Sequence, residues 1–376
     1  MINYGKQSLD KKDISYVLKV LNSNTLTSGP FVNKFESALG KFFGSKYTTV
    51  VNNGTSALSI LAKTLNWKKN DIVVTTPITF LATASCVYQT KAKVALVDIC
   101  ERTYTIDPNR LETFLKKYKK NVKSVIAVDY AGNPCDWKAL KFLSKKYNFT
   151  LVNDSCHSMG SKYYNDHQYA LKYADFVTQS FHPVKAITTG EGGSILTNKK
   201  PYDNKFKLIR NHSMIKNDKK HWEYRVYEPG QNYRITDFQC ALGISQLKKL
   251  NKFVTMRRKI ANEYNRFLKN DERFLIPREN KEIYHSYHLY PLQINLKKLK
   301  VSKNKIIAKF LNKGIRLQVH YIPLHFQPFY KKNAIYKKSD LKNSENFYNQ
   351  EISLPIYPDL KTKDIKYVIK NLLSIK

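Results

Sequence analysis

Between residues 10 and 22, apolar side chains recur at Ile14, Val17, Leu18 and Leu21. That spacing marks one face of a helix and predicts an amphipathic opening helix that packs on another element. Beyond it the pattern shortens to β-branched runs at Thr48–Val51, Ile72–Thr75, Val94–Val97, Val125–Val128, Thr150–Asn153, Phe176–Phe181 and Ser194–Thr197. Most are separated by stretches long enough for a helix, which predicts an α/β fold with a mainly parallel sheet of about seven strands and helices on both faces. Sheets of this kind gather their chemistry at the carboxyl ends of the strands.

Past Gln246 the pattern changes. Leu247, Leu250, Val254, Ala261, Tyr264 and Leu268 mark a long amphipathic helix through a basic segment, a candidate connector between domains. Strand-like Tyr287–Leu292 and Gly314–His320, then a helical end from Ile365 to Leu373, predict a smaller α+β unit. The chain has 376 residues, more than one hydrophobic core usually serves. The expected division is a large domain over 1–245, including the opening helix, and a smaller one over 246–376.

Hydrophobic residues at 42% and aromatics at 13% exclude a fibrous or low-complexity chain. No apolar run approaches the roughly 18 residues of a membrane span, and Met1–Gly5 does not open a signal peptide, so a cytosolic protein without a membrane partner is expected. The five cysteines form no C-x-x-C pair, and no metal is assigned to them. The net charge of +36 could serve a polyanion, but the lysines come as scattered pairs such as Lys68-Lys69, Lys119-Lys120 and Lys248-Lys249. This distribution reads as a solvated surface rather than a nucleic-acid face.

Three segments carry candidate chemistry. Lys185 follows the run ending at Phe181 and precedes Gly190-Glu191-Gly192-Gly193, a turn that leaves room for a ligand. A desolvated amine there can form a Schiff base, although a lysine alone is more simply a surface residue. Asp154 ends the run Phe149–Asn153, where a buried carboxylate can hold a proton on the ring nitrogen of a pyridoxal phosphate. By itself it would read as a helix cap. Asn52-Asn53-Gly54-Thr55-Ser56-Ala57-Leu58 opens a helix after Thr48–Val51, and its backbone N–H groups and hydroxyls suit a phosphate monoester.

These segments, with Pro77–Thr83, Asp154-Ser155-Cys156-His157, Ser180–Gly193 and Gly230-Gln231-Asn232-Tyr233-Arg234, resemble the sugar-nucleotide aminotransferases of the DegT/StrS type over essentially the whole chain. The resemblance implies a fold type I transferase dependent on pyridoxal 5'-phosphate. It implies that Lys185 carries the cofactor as an imine, that Asp154 pairs with the pyridine nitrogen, and that Gly54, Thr55, Ser56 and Ser180 hold the phosphate or adjoining atoms. Phe80 falls where the family sets an aromatic over the ring, and His157 where it sets a Gln or His near the ring hydroxyl. Asn232 matches a residue that reaches the phosphate from a neighbouring subunit, which implies a homodimer with shared sites. Ala186 departs from the pattern, since a His is common there.

A narrower resemblance rests on Leu26–Pro30, Asp129–Gly132, Gln318–Pro323 and Ile352–Pro355. These look like the branch that aminates C4 of a UDP-linked 4-keto-6-deoxy-N-acetyl sugar in pseudaminic acid biosynthesis, with L-glutamate as donor. It implies sugar-nucleotide contacts from Tyr4, Thr25, Leu26, Thr27, Gln318, Val319, His320 and Tyr321. Arg234 would add positive charge for the anionic ligand. The alternatives are an aminotransferase for another UDP- or dTDP-linked keto sugar and a basic regulatory protein that binds nucleic acid on the same fold. A sugar dehydratase of the family is a third, though its members replace the imine lysine.

Overall fold

In a computed structural model, which describes residues 1–375, all seven β-branched runs join one sheet. They form β1 (Tyr47–Val51), β2 (Ile72–Thr75), β3 (Lys93–Leu96), β4 (Val122–Val128), β5 (Thr150–Asp154), β6 (Phe176–Ser180) and β7 (Gly193–Thr197). The spatial order is β1-β7-β6-β5-β4-β2-β3, and β7 alone runs against the others. Helices cover both faces, so successive residues such as Val73 and Val74, or Leu151 and Val152, enter separate apolar cores on opposite sides. This two-sided burial explains continuous apolar runs in place of an alternating pattern.

A second unit gathers around a core that includes Tyr264, Tyr290, Phe310, Ile352 and Val368. Its antiparallel sheet comprises β8 (Phe274–Leu275), β9 (Tyr290–Ile294) and β10 (Glu351–Leu354), with β9 in the middle. Residues 324–341 leave it and return to the large sheet, where the Ile335 N–H donates to the Val94 carbonyl at 2.8 Å. Among the described residues, no helix is long and apolar enough to cross a membrane.

Three details depart from the sequence pattern. The opening helix, α1 (Lys11–Leu21), does pack on α2 (Asp237–Leu247), but with Asp13 and Val20 buried. The stripe Ile14, Leu18 and Leu21 is 57%, 50% and 50% exposed. Asp13 is held inside by Gln246 Nε2 at 2.8 Å and Lys249 Nζ at 2.5 Å, so polar partners on α2 and just beyond it select the face that turns inward. The long helix after Gln246 is broken: α2 ends at Leu247, and α3 (Leu250–Leu268) starts anew beyond Lys248-Lys249. Gly314–His320 forms no strand and pairs only through single bridges, Ile2 with Ile315 and Gln318 with Ser353. The first residues thereby dock on the C-terminal unit, and the Tyr4 carbonyl accepts from the Ile356 N–H at 3.0 Å.

Candidate active site

The carboxyl ends of β5 and β6 and the residues just after β1 open into a cavity of about 550 Å³, closed on its far side by residues 318–321 of the C-terminal unit. Lys185 lies in the loop that joins β6 to β7. This loop is pinned at its neck by the Phe181 N–H on the Gly192 carbonyl (2.8 Å) and the Thr189 N–H on the Phe181 carbonyl (3.0 Å). Burial draws the Lys185 amine below its ordinary value, and nearby Cys156 and Asp154 offset only part of that shift. A neutral amine is the form that attacks a carbonyl and accepts a proton.

Asp154, the last residue of β5, is 4% exposed and faces the same cavity. Its carboxylate accepts from Thr83 Oγ1 at 2.8 Å and from the Cys156 N–H at 3.2 Å, while Thr83 shares a 2.8 Å bond with Thr79. These donors fix the carboxylate's position at the cavity wall.

The helix Gly54–Leu65 points its amino end into the cavity. Asn53 caps it by accepting from the Ser56 N–H at 2.7 Å, whereas the N–H groups of Gly54 and Thr55 meet no acceptor among the described residues. A Cβ on Gly54 would stand 2.9 Å from Ser180 Cβ, and one on Gly193 would stand 2.6 Å from the Asn53 carbonyl carbon. Glycine at both positions lets three chain segments converge at this point.

His157 defines the opposite wall. The Ala131 N–H donates to its Nδ1 at 3.3 Å, and an amide can only donate, so Nδ1 carries the lone pair. Burial, with Lys185 and His320 adding to it, holds the ring far below the ordinary histidine value, so it is neutral and carries its proton on Nε2. That Nε2–H meets the Tyr321 hydroxyl oxygen at 3.1 Å and leaves the Tyr321 proton free to point at a bound molecule. His288 packs on His157 with ring centroids 4.3 Å apart.

The cavity thus gathers Tyr4, Gly54, Thr55, Phe80, Asp154, His157, Ser180, Lys185, Gln318, Val319, His320 and Tyr321. Six expected residues stay outside it within this chain. Ser56 is buried and does not line the cavity. Thr25, Leu26 and Thr27 run along the surface before Gly29, with Thr27 bridged to Thr236 and the Leu26 carbonyl accepting from the Asp237 N–H at 2.9 Å. Asn232 bridges Asn211, and Arg234 donates to Asn211 Oδ1 at 2.7 Å.

Other residues reach the site without having been singled out by role. Asn53, Thr79, Thr83 and Glu191 lie inside segments whose motif is visible in the sequence. His288 had no such signal. Outside the cavity lining, Arg257 had no such signal either; it is buried on α3 and donates to the carbonyls of Ile356 (2.8 Å), His288 (3.2 Å) and Val184 (3.4 Å), tying the residue before Lys185 to the C-terminal unit.

The residues present fit pyridoxal 5'-phosphate. Free helix-end amides beside the Ser180 hydroxyl suit its phosphate, a buried carboxylate suits its ring nitrogen, and a desolvated amine suits its aldehyde.

Residues 7–373 match the DegT/DnrJ/EryC1/StrS aminotransferase family. The chain is 38% identical over 375 residues to a UDP-4-amino-4,6-dideoxy-N-acetyl-beta-L-altrosamine transaminase of Campylobacter jejuni, covering 100% of this chain and 97% of the relative. Among solved structures, Helicobacter pylori PseC, an aminotransferase involved in pseudaminic acid biosynthesis, superposes with a TM-score of 0.91 at 34% identity, over 99% of this chain and 98% of that one. Spr1654 from Streptococcus pneumoniae, in its PMP form, gives 0.90 at 25% identity over 99% and 98% of the two chains.

Proposed function

The chain belongs to the DegT/DnrJ/EryC1/StrS aminotransferase family, and from that premise we propose that it moves an amino group from L-glutamate to C4 of a UDP-linked 4-keto-6-deoxy-N-acetyl sugar. The product would be UDP-4-amino-4,6-dideoxy-N-acetyl-β-L-altrosamine. The observation that carries this reading is the convergence of Lys185 and Asp154 with the 318–321 segment on one cavity, in a chain similar over its full length to a transaminase of that name.

When bound, the cofactor supplies an electron sink that makes the donor's α-proton removable and stores the amino group between the two half-reactions. The protein does the positioning and the proton transfer. The Gly54 and Thr55 amides and the Ser180 hydroxyl bind the phosphate. Asp154, held by Thr83 and the Cys156 amide, keeps the proton on the ring nitrogen. With the cofactor bound, the Lys185 amine, drawn below its ordinary value by burial, would act as the base that takes the proton from the donor's α-carbon and, in the second half-reaction, would return a proton to the sugar's reacting carbon. Tyr321, oriented by His157, offers its hydroxyl proton to the substrate side. Phe80, 54% exposed at the cavity wall, gives the cofactor ring an apolar face.

The working unit in this reading is a homodimer. Asn232, Arg234 and Thr25–Thr27 fall outside the cavity of their own chain, which suits a contribution to a neighbour's site. Apolar side chains that a second copy can cover stand exposed on α1 (Ile14, Leu18, Leu21) and on the hairpin around Trp222, Tyr224, Val226 and Tyr227. The five free thiols support a reducing, cytoplasmic setting.

The test is mass analysis of products after the purified protein is offered UDP- and dTDP-linked 4-keto sugars with glutamate. The expected outcome is amination of the UDP-linked 4-keto-6-deoxy-N-acetyl sugar with release of 2-oxoglutarate. Preference for a dTDP-linked sugar would overturn the substrate assignment, and no transamination of any keto sugar would overturn the reading as a whole.

A further inference from the structure

His320 reaches the cavity by its ring, yet the groups that govern that ring lie behind it, on a strand of the C-terminal unit. Glu351 and Ser353 are two residues apart on β10, so the pleat turns both to the same side. The Gln318–Ser353 bridge holds the 318–320 segment against them. His320 Nδ1 lies 2.8 Å from Ser353 Oγ, and Ser353 Oγ lies 2.6 Å from Glu351 Oε1. The second carboxyl oxygen, Oε2, accepts from the backbone N–H of His320 at 3.0 Å. His320 Nε2 has no partner among the described residues, so it is the nitrogen available to a molecule in the cavity.

A serine hydroxyl has one proton, and this fixes the direction of the whole chain. An ionised Glu351 can only accept. Ser353 must then donate to Oε1 and accept from His320 Nδ1–H, which leaves Nε2 as a lone pair facing the cavity. With Glu351 protonated, the backbone amide still occupies Oε2, so the carboxyl proton sits on Oε1 and points at Ser353. The serine then donates to Nδ1, and the ring proton moves to Nε2. Going from the first arrangement to the second, Nε2 gains a proton from the cavity side, Nδ1 passes its own to Ser353, and Ser353 passes its own to Glu351. One proton is taken up in total, and the ring stays neutral at both ends of the change.

We propose that Glu351, acting through Ser353, sets the tautomer of His320 and thereby decides whether the ring offers a hydrogen-bond donor or an acceptor to the substrate. As a donor, Nε2–H suits a sugar carbonyl or a donor carboxylate; as an acceptor it suits a sugar hydroxyl. Glu351 is a positioning residue in this scheme. That the molecule concerned is a keto sugar rests on the function proposed above, whereas the tautomer relay does not.

The surroundings set the range in which the relay responds. Burial pushes the Glu351 carboxyl up to about 8, against the bonds from Ser353 and the His320 amide and the attraction of Lys303. The other titratable groups facing it are Tyr104, Tyr130 and Tyr321, all raised by burial and so uncharged through this range. His320 itself is depressed to about 3, first by burial and then by Lys185, so it does not become a cation there.

The experiment uses cofactor-loaded full-length protein labelled with [15N]histidine. Two-bond 1H–15N correlations identify each ring's tautomer, and the His320 signal is assigned by its loss in His320→Gln. The expected result is a change from Nε2–H to Nδ1–H as pH rises through the neighbourhood of 8. In Glu351→Gln the amide oxygen must face the His320 N–H and the NH2 must face Ser353, so the ring should stay Nε2–H throughout. Ser353→Ala, with the relay cut, should also lose the change. In turnover, kcat/KM for the keto sugar should bend near that pH in the wild type and run flat in Glu351→Gln. A single His320 tautomer across the range in the wild type, or an unaltered change in Glu351→Gln, would overturn the proposal. An intact tautomer change in a protein that aminates no keto sugar would support the relay and count against the proposed function alone.

Discussion

Replacing Asp154 with Asn removes one charge while nearly preserving shape, and the structure separates its effects on folding and on catalysis. The Cys156 N–H can only donate, so the Asn oxygen must face it, and the Asn NH2 then faces Thr83. Thr83 can accept from it and turn its own proton to Thr79, 2.8 Å away, so no buried group is orphaned. Two charge-assisted bonds become neutral ones, a loss of about 1 kcal/mol each, and the neutral amide avoids burying a charge. Thermal unfolding should therefore change little. The catalytic cost is larger. Unit charges about 4 Å apart at an effective dielectric of about 20 attract by about 4 kcal/mol, which corresponds to about a thousandfold in rate if the whole interaction is lost from the transition state. The assay is stopped-flow measurement of the first half-reaction with glutamate, the proposed donor, at saturating cofactor, beside circular dichroism to confirm the fold. A half-reaction within tenfold of wild type, with cofactor bound, would refute Asp154 as the partner of the ring nitrogen.

Three further outcomes are expected. Borohydride reduction of the loaded protein should fix the cofactor on Lys185 alone, as read by peptide mapping, and Lys185→Ala should fold and bind cofactor without covalent attachment or turnover; a label on another lysine would contradict the site. Gly54→Ala puts a Cβ 2.9 Å from Ser180 Cβ, so cofactor affinity measured by absorbance titration should fall at least tenfold while the fold survives; unchanged affinity would show that the helix end does not hold the phosphate. Acid should destabilise the protein through its buried histidines. His285 and His320 are depressed to about 3 by burial, so between that value and the unfolded value near 6.5 the unfolded chain binds more protons, and stability falls as pH drops through that window. Each should cost about 2 kcal/mol at pH 5 relative to pH 8, and urea unfolding at the two pH values, with His285→Gln as control, checks the sign.

What could be read from the sequence is what local physics determines. Two-sided burial forces a parallel strand to be apolar along its length, so all seven strands of the main sheet stand out as β-branched runs. Strand ends in such a sheet face one edge, which makes Asp154, Lys185 and the Asn53–Ser56 helix start recognisable as neighbours although they are far apart in the chain. Periodicity also identified α1 as a helix, yet it could not tell which face is buried. That depends on Gln246 and Lys249, which hold the Asp13 carboxylate inside and leave Ile14, Leu18 and Leu21 exposed. The break at Lys248-Lys249 and the absence of a strand over Gly314–His320 likewise follow from what those segments meet, since an isolated segment carries no record of its partner. The polar network of the cavity depends most on tertiary structure. His157 takes its tautomer from the Ala131 amide, and His320 is governed by Glu351 and Ser353 across the Gln318–Ser353 bridge. Hydrogen bonds require placement to within a few tenths of an ångström, and across such sequence separations only the packed fold supplies that placement.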